Sequence, residues 1–330
     1  MKRFGLLSYD FKFKNATNVG DYIQSLAAKQ FIPNSVDIEA INREELNKHI
    51  SDDEIFLIMN GWFSHQPSCW PPAESIKPLF VSFHINSSVK EFFSRSEEIL
   101  KYLKNYEPIG CRDTSTRDFL VSKGIDAYFS GCLTTTLNRD DWSSLQDRNG
   151  VLFIDIYQGK GSLKHLFNRK DINFLEKLLR LPKTIKNRFS CYNADLIEAK
   201  LIKALDNQAP KYLTTQHSVN LSEDERYELA KKFLTEYANS ELVVTSRIHV
   251  ALPCLAFGTP VLFVNPGMDT SRFPGLDSFF NMLTVDQIEK MSDSELSNSL
   301  KKIKNKEEHV PYRNELKLTC SEAVNNYLNK

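Results

Sequence analysis

The sequence has no cysteine pair of the Cys-x-x-Cys kind: Cys69, Cys111, Cys132, Cys191, Cys254 and Cys320 stand singly. That spacing excludes a disulfide scaffold and a thiol zinc cage, and it fits a reducing cytoplasm with most thiols acting as small core residues. Long hydrophobic runs are also missing. The longest, such as Ile55–Met59, fall far short of the ~20 residues a membrane-spanning helix needs. The N-terminal apolar stretch is interrupted at Asp10, before a secretory core could form, and reads instead as a first strand. Charge of either sign is not in excess, with 42 Lys plus Arg against 42 Asp plus Glu. Such a chain cannot hold nucleic acid by global counterion release, so any anion site must be local. Neither Gly-x-Gly-x-x-Gly nor Gly-x-x-x-x-Gly-Lys-Ser/Thr occurs, which leaves dinucleotide and ATP-loop readings unsupported. No His-x-x-x-His, Asp-x-Asp or spaced carboxylate cluster suggests a metal, and no cofactor is expected.

What is present is ordinary globular material, 41% hydrophobic and 25% charged. A length of 330 residues suits two domains of roughly 150 each. Short apolar runs alternate with helix-period stretches, the pattern of parallel sheets covered by helices. In the first half the runs are Phe4–Ser8, Ile55–Met59, Leu79–Phe83, Pro108–Cys111 and Ile125–Phe129. A helix is expected just after Gly20, with Asp21 and Gln24 as a capping box, and another from Thr114 to Lys123, ended by Gly124. The polar stretch Asn138–Gly150 is the best linker, giving domains at 1–140 and 148–330. Strands are then expected at Val151–Ile156, Tyr212–Thr215, Leu242–Thr245 and Val261–Val264, and a last helix at Asn314–Leu328 that returns to the first domain. Leu163–Arg188 is rich in Lys, Arg, Leu and Phe. It reads either as a basic amphipathic surface, a possible peripheral contact with the inner face of a membrane, or as a solvated helix pair with a buried leucine side. Its mixed charges favour the second.

The stretch Val243–Val264 reads strand, polar turn, apolar helix, glycine stop, strand. In an open parallel sheet the loop after a strand faces the ligand crevice, and a helix start favours anions. Thr245, Ser246, Arg247 and His249 fall there. Arg247 can grip a carboxylate or phosphate with its planar fork, and His249 can exchange a proton near neutral pH. The alternative for His249 is a buried helix histidine satisfied by a carbonyl. Arg112 stands at another strand-to-helix junction, where it either binds an anion or pairs with Asp113 or Asp118.

Three ordered blocks resemble the polysaccharide pyruvyl transferase family. They are Asn18-Val-Gly-Asp21 with its helix, Ile109-Gly-Cys-Arg-Asp-Thr-Ser-Thr-Arg117 leading to Ser130-Gly-Cys-Leu-Thr134, and Thr245-Ser-Arg-Ile-His249 followed by Ala251-Leu-Pro-Cys-Leu-Ala-Phe-Gly-Thr-Pro260. The resemblance implies an α/β fold of two Rossmann-like domains in a GT-B-like arrangement, with the active site in the interdomain cleft. It also implies transfer of the carboxyethylidene unit of phosphoenolpyruvate to two hydroxyls of a sugar, with release of phosphate. The sugar belongs to a cell-surface polysaccharide or its lipid- or nucleotide-linked precursor; neither the hydroxyl pair nor an oligomeric state is implied. His249 is then the general acid at the methylene carbon, with a working pKa near neutrality, and Arg247 and Arg112 hold the donor's anionic groups.

Asn18, Gly20 and Asp21 either orient the acceptor or only form the start of their helix. Gly131 and Thr134 are expected near the cleft, and His217 near phosphate or acceptor. Family members carry a further basic residue beyond the motif histidine; Asp269 and Arg272 stand near that place, so Arg272 is the candidate and the departure leaves the third cation open. His65 and His84 are possible cleft residues. Two other functions compete: glycosyl transfer from a nucleotide-sugar on the same scaffold, and a non-catalytic sugar- or anion-binding relative.

Overall fold

A computed structural model describes residues 3–9, 17–156, 163–168, 173–190, 194–217, 220–266 and 273–329. The first half contains β1 (Arg3–Ser8), β2 (Thr17–Asn18), α1 (Val19–Lys29), β3 (Ile38–Asn42), β4 (Ile55–Trp62) and β5 (Ile76–His84). After these come α2 (Lys90–Arg95), α3 (Glu97–Lys104), β6 (Ile109–Cys111), α4 (Thr114–Val121) and β7 (Ala127–Phe129). Beyond the polar connection lie β8 (Val151–Ile154), α5 (Leu163–Asn168), α6 (Phe174–Ser190), α7 (Ala194–Ala204), β9 (Lys211–Leu213), β10 (Gln216–His217) and α8 (Glu223–Asn239). The chain closes with β11 (Leu242–Thr245), α9 (Ile248–Phe257), β12 (Val261–Asn265), β13 (Asn281–Thr284), α10 (Val285–Lys290), α11 (Asp293–Lys301) and α12 (Val310–Asn329).

Two all-parallel sheets result, one ordered β3-β1-β4-β5-β6-β7 and the other β13-β12-β11-β8-β9. Central parallel strands are covered on both faces, which is why β4 and β11 read as unbroken apolar runs. The same physics hid β3 and β13 from the sequence reading. They are edge strands, and their half-buried sequences Ile-Glu-Ala-Ile-Asn and Asn-Met-Leu-Thr lack such a run.

The break between the sheets falls in the polar stretch, which is tied to helix ends by Arg139 Nε to Ala238 O (3.1 Å) and Arg148 Nη2 to Phe257 O (2.6 Å). The apolar core is continuous across both sheets through α1, α8 and α9. Tyr22 on α1 meets Tyr227 on α8 edge-to-face at 5.0 Å. A short antiparallel bridge between β2 and β10 also joins the halves. At the far end α12 lies back on the first sheet, with the Tyr327 ring stacked on Phe56 and its hydroxyl donating to Glu54 O at 2.8 Å.

Two local expectations change, at α1 and α6, and α9 carries a kink. α1 begins at Val19, because Asn18 Oδ1 accepts from Gly20 N and is the cap in place of the Asp21–Gln24 box. Pro253 lies five residues into α9, beyond the first turn, so its ring nitrogen cannot bond the His249 carbonyl; the backbone kinks at His249 (ψ 16°). In α6 the leucine side is exposed, where a solvated helix pair would bury it. Gly258 does end α9 in the left-handed conformation, φ +66°.

Candidate active site

The turn after β11 is held from both sides. Thr245 is fully buried; its hydroxyl donates to Ile154 O (2.8 Å) on β8 and accepts from Arg247 N (3.0 Å). Ser246 Oγ donates to Val264 O (2.6 Å) on β12. Thr245 is thus a positioning residue whose side chain faces its own sheet, while Ser246 borders a cavity of about 170 Å³.

Arg247 caps α9 and reaches back to Asp155, whose Oδ2 accepts from Arg247 Nε at 3.1 Å. The same oxygen accepts from Thr215 N (2.9 Å) and Oγ1 (2.6 Å). Asp155 follows β8 with φ +44°, a left-handed conformation uncommon outside glycine. Its carboxylate anchors one edge of the guanidinium and leaves Nη2 buried with no hydrogen-bond partner among the described residues.

From the other sheet, Arg112 follows β6 and is buried, its Nε without a hydrogen-bond partner among the described residues. It makes neither of the surface ion pairs considered from sequence: Asp118 pairs with Arg117, and Asp113 with His84. His84 ends β5, and its Nδ1 lies 2.5 Å from Asp113 Oδ2. Asp113 also caps α4, accepting from Thr116 N at 2.9 Å.

His84, Arg112, Arg247 and His249 border one cavity together with Asn18 and Gly20 at the start of α1. The approach is close: a Cβ on Gly20 would stand 3.0 Å from His249 Cβ. His249 Nε2 is buried and has no hydrogen-bond partner, carbonyl or other, among the described residues. Burial, then the charge of Arg112, then His84 hold its imidazolium pKa well below the usual 6.5, a correction to the expected neutrality for the protein itself. Burial and Arg112 likewise push His84 down to about 4. Burial would raise Asp113, but its bonds from His84 and Thr116 and the charge of Arg112 hold it below the ordinary carboxylate value. The cavity therefore combines two fixed guanidiniums with two neutral imidazoles, a set of groups suited to an anion that arrives with negative charge to spare.

Asp21 also borders the cavity, 3.6 Å from the buried Arg43 guanidinium, which lies over Tyr9. Other expected residues lie elsewhere. Gly131 (φ +70°) faces Phe279 and Tyr312, and Thr134 is fully buried beside Cys132 Sγ at 3.2 Å, because the chain after β7 turns into the core. Burial raises the Cys132 thiol, which suits a core residue. His217 is drawn into the β2–β10 bridge opposite Thr17, with its ring edge-on to Phe233, so Thr215 borders the cavity instead. His65 packs against Trp62, and it is Trp62 that borders the cavity. Arg272 and Asp269 lie outside the described residues.

Sequence reasoning missed Asp155, Trp62, Asn86, Thr215 and Phe273. Asp155 carried a weak signal, a lone carboxylate within the apolar run Val151–Ile156 expected as a strand; the structure ends β8 at Ile154 and so sets Asp155 just past it. The others carried none, being single residues on loops or strand ends.

The polysaccharide pyruvyl transferase model matches residues 18–267, most of the chain. The protein belongs to the polysaccharide pyruvyl transferase family. It is a transferase, and the matched span contains Asn18, Arg112, Arg247 and His249. No curated protein matches the sequence. Among solved structures, a UDP-N-acetylglucosamine 2-epimerase is similar at a TM-score of 0.42 and 10% identity, covering 100% of this chain and 98% of that one. No described helix is long and apolar enough to cross a membrane.

Proposed function

We propose that this family member is a ketal pyruvyltransferase. It moves the carboxyethylidene group of phosphoenolpyruvate onto two hydroxyls of a sugar in a cell-surface polysaccharide or its precursor. The observation that carries the reading is the meeting of Arg112 and Arg247, from opposite sheets, around His249 in one cavity. In this reading the sheets are two Rossmann-like domains, 1–140 and 148–330, in a GT-B-like arrangement with the donor between them.

The chemistry sets the roles. The donor carries nearly three negative charges, and two guanidiniums match its phosphate and carboxylate. Its charge reverses the balance at His249: an anion beside the ring raises the pKa that burial and Arg112 lower, so the imidazole takes up a proton as the donor binds. His249 then gives that proton to the methylene carbon, and the resulting oxocarbenium-like carbon accepts the first sugar hydroxyl. Phosphate leaves, its charge offset by the arginines, and the second hydroxyl closes the ketal. Of the two hydroxyl protons, one restores His249 and the other leaves with phosphate, so the reaction closes without a cofactor. Asp155 holds Arg247 in place by one edge and leaves the unpartnered Nη2 for the donor.

The test is thermal stabilisation by phosphoenolpyruvate and by a panel of nucleotide-sugars, on the protein and its Arg247→Ala variant. A native-state ligand at a hundred times its Kd adds about 2.7 kcal/mol. Stabilisation by phosphoenolpyruvate that the variant loses supports the proposal. Absence of stabilisation by phosphoenolpyruvate counts against it; stabilisation only by a nucleotide-sugar, which could enter as acceptor or as donor, makes glycosyl transfer the hypothesis to test next.

A further inference from the structure

α6 is mounted with its apolar side outward. Phe174, Leu178 and Ile185 fall on one face at helical spacing, with Leu175 and Leu179 beside them, and all five are exposed; Phe174, Leu175 and Leu179 reach 69%, 66% and 73%. The polar stripe Lys177, Arg180, Thr184 and Asn187 is the less exposed side, with Thr184 buried. Lys177 Nζ donates to Phe167 O at the end of α5 (2.7 Å), and the Phe167 side chain is itself exposed. A helix at the surface of a globular protein ordinarily buries its apolar stripe. A contiguous exposed apolar patch marks an interaction surface.

The charges around the patch identify its occupant. On the described outer side of α6 the exposed charges are Lys183 and Lys186 with one acid, Glu176, in a chain whose total charge balances. Lys183 and Lys186 are exposed beside the apolar residues. A second copy of the chain related by a two-fold axis would set this basic patch against itself, and like charges face to face oppose that pairing. A bilayer surface with anionic headgroups answers both properties, accepting the apolar side chains at the level of the acyl boundary and the lysines at the phosphates.

We propose that α5 and α6 dock the protein onto an anionic lipid surface. The inference stands apart from the chemistry of the cleft, because it concerns binding alone. In a polysaccharide pyruvyl transferase such docking would hold the protein at a surface on which an acceptor can be carried on lipid.

The experiment is vesicle flotation of the full chain with phosphatidylcholine alone and with phosphatidylcholine containing phosphatidylglycerol. Partition onto the anionic vesicles alone, falling as salt is raised, is expected. Leu175→Asp with Leu179→Asp should reduce it by tenfold or more, while Lys183→Gln and Lys186→Gln should each weaken it about fivefold. These side chains are exposed, so circular dichroism should report an unchanged fold. Absent or equal partition on both vesicle types overturns the proposal. So does a dimer, seen by light scattering, that the Leu175→Asp, Leu179→Asp variant dissolves, since the patch would then be covered by a second copy.

Discussion

Lowering the pH from 6 to 5 should destabilise the ligand-free protein through two histidines of the cavity. His84 is pushed from 6.5 to about 4, and His249 is also held well below 6.5. For a base with a depressed folded-state pKa, both states are neutral above the unfolded value, so nothing is lost there. As pH falls below 6.5 the unfolded chain binds protons that the folded chain refuses, and stability declines until the folded pKa is reached. Across pH 6 to 5 the His84 ring, at about 4 in the folded chain, accounts for roughly one proton, or about 1 kcal/mol, and His249 adds to the fall in the same direction. With 330 residues unfolding as one unit and an entropy near 2.1 cal/mol/K per residue, the His84 contribution alone is a fall in Tm of about 1–2 °C, to which His249 adds. Scanning calorimetry at the two pH values, on the native protein and on His84→Gln and His249→Gln, measures it. Each variant starts from its own baseline stability, but its pH-dependent fall should be smaller than that of the native chain, with the depressed His309 contributing equally to all three. An equal fall in all three proteins would refute the claim that burial and Arg112 hold these rings neutral.

Other outcomes follow from the same geometry. His249→Asn should lower the rate of ketal formation by roughly 10²–10⁴-fold while changing phosphoenolpyruvate affinity little, as read by phosphate release and calorimetric titration. Asp155→Asn removes the charge that orients Arg247 and should raise the KM for the donor more than it lowers kcat, with Arg247 itself intact. Gly20→Ala places a methyl 3.0 Å from His249 Cβ, so activity should fall although the residue carries no chemistry; an unchanged rate would show that the ring has room to move. Arg43→Ala leaves Asp21 and Glu44 in the interior without their cation and should cost about 3–5 kcal/mol in chemical denaturation.

Much of this protein was legible in its chain because central parallel strands must be apolar on both faces. β1, β4, β11 and β12 therefore announce themselves, as does the polar break before β8. The strand-to-helix turns at Arg112 and Thr245–His249 were legible for a related reason: polar residues directly after such strands stand where the ligand crevice opens. What local pattern could not decide was orientation. Gly131 and Thr134 follow a strand as Arg112 does, yet the chain after β7 turns inward, while Asp155, at the same kind of position, meets Arg247 from 92 positions away. The histidines' pKa values are likewise collective, since they depend on Arg112, carried by a different strand, and on burial by both halves of the chain. The outward face of α6 is the sharpest case. The spacing of its leucines says that a face exists, and only the packing of the polar stripe against the protein says that this face is left outside.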